Sequence, residues 1–176
     1  MFRKVLLSIV LIVVLFFGYV STRQSQFHIE DSAVIRAPIE KVFPYVSDLK
    51  KGGEWSPFEK VDPLMKKDFI GASDQVGAKL IFQGNSDAGA GSLEILKIQA
   101  PETVELHLIM TAPFPADNLI QYKLETVPEG TRFTWIMSGD GGFLGKLISV
   151  FIDCDTMIKK QFQLGFQNLN QLMEGK

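Results

Sequence analysis

Few side chains in this chain of 176 residues are spaced to do covalent or acid–base chemistry. Asp153, Cys154 and Asp155 form one run of titratable groups. A thiolate nucleophile needs a nearby cation or a helix start to lower its pKa, and flanking acids with burial do the opposite. Cys154 also falls on an apolar stripe, so it reads as a structural residue. It is the only cysteine, so no disulfide can close within the chain, and no Cys/His cluster has zinc-ligand spacing. His28 and His107 lie far apart, and His107 alternates with Leu106 and Leu108, which turns it away from the apolar face of its strand. His28 has no evident Ser or Asp partner, and Glu30 and Asp31 read as solvated charges. "GDGG" (139–142) lacks the Gly-Lys-Ser/Thr ending of a phosphate loop and reads as a turn into a helix. Tyr122 falls on an apolar strand face, where its hydroxyl could donate either to a ligand carbonyl or to a backbone group. No catalytic residue, metal ligand set or cofactor motif emerges.

Composition narrows the class. Hydrophobic residues make up 46% and charged residues 22%, which is globular rather than disordered. Fourteen Phe residues against 3 Tyr and 2 Trp supply more large apolar rings than a chain of this length requires, unless the core is simply Phe-rich. The net charge of −2 and the absence of any basic run argue against nucleic-acid binding.

The first residues form a separate unit. Arg3 and Lys4 precede an almost unbroken apolar run from Val5 to Val20. A spanning helix takes about 20 apolar residues, with ~17 as the lower limit. No A-x-A-like site follows the run, which reads Gly-Tyr-Val-Ser-Thr-Arg, so residues 1–22 are expected to be an uncleaved anchor. A cleaved signal peptide is the alternative. The basic end stays in the cytoplasm by the positive-inside rule, which puts the rest on the extracytoplasmic (periplasmic) side. That part carries 16 basic against 20 acidic residues and no polybasic patch for anionic lipid.

After a polar tether (23–26), residues 27–176 are expected to form one domain. "FHIEDSAVIRAP" (27–38) reads as a strand, and Pro38 suits the first turn of a helix over 39–49, shortened or kinked by Pro44. "GGEWSPFEKVDP" (52–63) is a loop by its Gly and Pro content, yet it holds Trp55 and Phe58. Strands follow at about 64–71, 77–84, 91–99, 103–110, 118–127 and 130–139, alternating apolar and polar as an antiparallel sheet covered on one face does. From Phe143 to Met173, apolar positions at steps of three and four predict one helix of about eight turns, with Gly165 as a close-packing member. The expected fold is α+β, a curved antiparallel sheet gripping a long C-terminal helix.

This order resembles the START-like superfamily, also called the Bet v 1-like or helix-grip fold (SRPBCC), and within it the polyketide cyclase/dehydrase and lipid-transport group. The likeness covers about 28–174. It rests on "VIRAPIEKVFPYVSDLKKGGEWSPF" (34–58), on "GTRFTWIMSG" (130–139) and on the final helix. The resemblance implies an apolar cavity between sheet and helix that takes lipids, sterols, quinones or aromatic polyketides, with some members enzymes. It implies ligand contacts from Phe82, Met110, Tyr122, Phe133 and Trp135 on the sheet and Phe151, Ile158 and Phe162 on the helix. Trp55 would stand at the mouth, where it and Phe58 would be a lid or end wall, or would plug a filled core. Three readings stay open. The first is a membrane-anchored binder of a hydrophobic small molecule. The second is a cyclase/dehydratase-type enzyme, for which Tyr122 is the one interior acid or base to name. The third is an interaction module with a filled core.

Overall fold

Alternation along the strands is realised as one seven-stranded antiparallel sheet in the computed structural model, which describes residues 2–175. An apolar helix α1 (Phe2–Ser21) leads into β1 (Gln26–Ile35). The short helices α2 (Ile39–Val46), α3 (Gly52–Trp55) and α4 (Pro57–Lys60) follow. The meander β2 (Lys66–Ile70), β3 (Lys79–Gln83), β4 (Ala90–Gln99), β5 (Thr103–Ala112), β6 (Ala116–Val127) and β7 (Gly130–Asp140) then leads to α5 (Gly142–Ile148) and α6 (Cys154–Met173). The sheet order is β1-β7-β6-β5-β4-β3-β2. The register of β4 on β5 shifts at Ala90/Gly91 and at Ile95/Lys97. Such bulges bend a strand and increase its twist, which helps a sheet curl around a helix. The fold is the α+β helix grip that the pattern predicts.

The core lies between the concave face of the sheet and α6. Trp55, Phe133, Trp135, Phe162, Phe166 and Leu169 are all buried there. Gly165 allows the closest approach: a Cβ at that position would lie 2.9 Å from Trp135 Cζ3 and 3.2 Å from Pro57 Cδ. Pro44 lies inside α2, which ends at Val46. Pro38 is the N-cap of α2, in extended conformation.

The C-terminal segment differs from the expected single helix. It breaks at 149–153 into α5 and α6. Asp153 begins α6 anew: one carboxylate oxygen accepts the Thr156 backbone N–H at 3.1 Å and the other accepts the Thr156 hydroxyl at 2.7 Å. Asp favours such caps because its side chain competes with the backbone for hydrogen bonds. The apolar spacing runs across the break and conceals it. Asp31 departs from expectation as well. It is half-buried on the concave side of β1 and accepts from Gln163 of α6 at 2.7 Å.

Candidate ligand cavity

Beside the packed core, the sheet and the first turns of α6 enclose a cavity of about 400 Å3. Its sheet wall is Leu80 and Phe82 of β3, Leu93 of β4, Leu108 and Met110 of β5, Ile120 and Tyr122 of β6, and Trp135 and Met137 of β7. Ile158 and Gln161 of α6 face them, and Ser56 to Glu59, Val61 and Met65 form the rim. Pocket walls that are mostly apolar with a few placed polar groups are the general form of small-molecule sites.

Five of the nine residues expected to contact a ligand line this cavity: Phe82, Met110, Tyr122, Trp135 and Ile158. Three stand behind the lining as its packed backing. Phe162 stacks on Trp135 with centroids 4.4 Å apart, Phe133 lies 6.2 Å from the same ring, and Trp55 lies 5.3 Å from it edge-on. Trp55 is therefore not at the mouth. Its indole N–H donates to the Tyr45 carbonyl at 3.0 Å, and its own carbonyl accepts from Asn168 of α6 at 2.9 Å. These bonds draw the ring inward and tie the loop to two helices. Phe58, 39% exposed, takes the place at the rim. Phe151 does not reach the cavity. The break before α6 turns it outward, 73% exposed, with its ring 6.1 Å from that of Phe16 in α1.

One polar group at the rim carries no signal in the sequence. Glu59 is paired with Lys67 at 2.6 Å, its side chain only 12% exposed. Burial raises its carboxyl above the usual range, and Lys67 opposes this only in part. The two residues come from the short helix α4 and the edge strand β2, eight positions apart, so no local pattern joins them. Burial, with the Glu59 charge as a lesser cause, pushes the Tyr122 phenol far upward, so it stays protonated and can only donate its proton to a hydrogen bond or accept one. The Trp135 indole N–H is buried with no hydrogen-bond partner among the described residues. His107 lies away from this cavity, 2.6 Å from Asp117. His28 lies 3.5 Å from Glu30. A second, more open groove of about 1180 Å3 runs between the segment from Thr22 to His28 and the segment from Ser149 to Asp155, which includes Cys154.

A sheet curled on a C-terminal helix over an apolar cavity defines a helix-grip fold. The chain belongs to the family described as polyketide cyclase/dehydrase and lipid transport, whose pattern matches residues 26–174. Among curated proteins none matches it by sequence. Solved structures share the fold at low identity. Protein MLL2253 from Mesorhizobium loti is 18% identical with a TM-score of 0.64, over 85% of this chain and 98% of that one. The Aha1 dimer from Colwellia psychrerythraea is 18% identical with a TM-score of 0.59, over 84% and 96%. Ara h 8.0201 is 14% identical with a TM-score of 0.61, over 86% and 99%.

Proposed function

We propose that this protein is a membrane-anchored domain that holds a hydrophobic small molecule, of lipid, quinone, sterol-like or aromatic type, between its sheet and α6. The observation that carries the reading is the apolar cavity of about 400 Å3 in a chain whose family includes lipid transport. Apolar contact supplies about 25 cal/mol per Å2 buried, enough for affinity without many polar contacts. The polar groups indicate one end of the ligand. A buried donor without a partner costs about 1–3 kcal/mol, and a ligand oxygen that accepts from the Trp135 indole N–H would remove that cost. In this reading residues 1–22 are the anchor, 23–26 the tether and 27–176 the binding domain. Arg3 and Lys4 favour the extracytoplasmic side for that domain. A 20-residue helix is about 30 Å long, the thickness of a bilayer core.

A second reading has one observation in its favour. Glu59, with its raised carboxyl pKa, stands at the rim of the cavity that Tyr122 lines, and a cyclase or dehydratase needs such an acid or base beside its substrate. The third reading, a module with a filled core, has the open cavity against it.

Native mass spectrometry of the full chain, extracted gently from membranes, tests the binding reading. Reproducible added mass that organic extraction removes is the expected result. A bare polypeptide that also takes up nothing from a lipid extract would sink it. Turnover of the identified ligand by wild type, lost in Glu59→Gln with binding intact, would move the assignment to catalysis.

A further inference from the structure

The apolar surface of this chain does not end with α1. Val20, in the last turn of α1, is fully buried against the domain. Phe17 stacks on Phe143 of α5 at 6.0 Å, and Phe16 meets Phe151 at 6.1 Å. Lys146 donates to the Ser21 carbonyl at 3.2 Å, and the Gly141 N–H donates to the Ser25 carbonyl at 2.9 Å. These contacts fix α5 and the turn after it at the level of the last turns of α1. Around them Phe143, Leu144, Phe151 and Ile152 are 51, 42, 73 and 46% exposed. A contiguous apolar patch of this kind is unusual on a water-facing surface.

The level of the patch identifies its occupant. A helix that spans the bilayer from Phe2 to Ser21 has Phe16 and Phe17 about 6–8 Å short of its outer end, within the acyl region. Phe143 and Phe151, in ring contact with them, then share that depth. Tyr19 is 53% exposed with the Arg23 guanidinium 5.9 Å over its ring, a pairing suited to the headgroup layer. Asp140 and Asp153, both hydrogen-bonded carboxylates at the ends of the patch, limit the insertion to a shallow one.

We propose that α5 and the 149–152 turn lie in the outer interface of the bilayer, so that the domain is docked on the lipid surface rather than carried above it on a free tether. The inference rests on the reading of α1 as a spanning helix. It also deepens the binding reading. Ile158, a wall of the cavity, follows Cys154 by four residues, about 6 Å along α6. The cavity wall therefore begins within about two helical turns of the docked segment, and a lipid-soluble ligand is its natural occupant.

Depth-dependent quenching on the full chain in lipid nanodiscs tests this. Cys154 is replaced by Ser, and one environment-sensitive fluorophore is attached at Phe151→Cys, Leu11→Cys or Glu129→Cys. Glu129 lies in the β6–β7 turn, at the opposite end of β7 from α5. Phospholipids carry a nitroxide either near the headgroup or midway down the acyl chain. The label at 151 should lose most of its emission to the shallow nitroxide, the label at 11 to the deep one, and the label at 129 little to either. Quenching at 11 with none at 151 would overturn the docking and leave the anchor standing. No quenching at 11 or 151 would overturn both. Because Phe151 is exposed, its substitution leaves the core intact.

Discussion

Glu59 is the group whose environment links cavity and pH. Its carboxyl is raised above the ordinary value of 4.5 in the folded chain. The folded state therefore binds its proton more tightly than the unfolded state does. The stabilisation is fully present below 4.5 and is lost as pH rises through the native value. Denaturant midpoints of the full chain in detergent, taken from below 4.5 upward, should fall more steeply for wild type than for Glu59→Gln. Parallel curves would show that Glu59, paired with Lys67, holds no excess proton affinity. Tyr122→Phe removes only a hydroxyl, so folding should survive while ligands with an accepting oxygen bind about tenfold more weakly or less. A ligand titration by intrinsic fluorescence reads this directly, since Trp135 pairs with Tyr122 across the sheet. Met110→Trp fills the cavity instead, and should abolish ligand mass in the native spectrum while leaving the melting transition in place.

At the level of elements, the fit between α6 and the sheet depends on Gly165. A methyl group there meets the Trp135 ring and Pro57, so Gly165→Ala should cost about 1–3 kcal/mol by chemical denaturation. Trp55→Ala opens a hole behind the same ring and should cost about 3–5 kcal/mol. The strands were legible because period-2 alternation survives in β5, β6 and β7, where Leu106, Tyr122 and Trp135 all face inward. The stripe on α6 was legible for the same kind of reason, down to the glycine. The break at 149–153 was not, because the cap at Asp153 is a local hydrogen-bond choice that leaves the apolar spacing undisturbed. That hidden break is why Phe151 lies on the apolar stripe in sequence yet faces outward in the structure. The division between Trp55 as backing and Phe58 as rim was equally hidden. It is decided by hydrogen bonds to Tyr45 and Asn168, far apart in sequence. Glu59 could be found only once β2 brought Lys67 beside it.

At the scale of the whole molecule, the anchor reading makes a simple demand. The full chain should stay in the membrane pellet through alkaline carbonate washing, and its intact mass should include residues 2–21. Release with a mass starting after the apolar run would instead assign that run to a cleaved signal. A membrane-bound protein also works at high local concentration, where like surfaces meet often, and here the sheet order has a consequence. β2 is one of the two border strands, paired only with β3 among the described residues. Its backbone donors and acceptors on the free side would accept another strand. The strand is five residues long and opens Lys66-Lys67-Asp68. A short, charged border is a poor template for zipping two sheets together. On the anchor reading, crowded copies on one leaflet can thus collide repeatedly and separate again without zipping together at this border of the sheet.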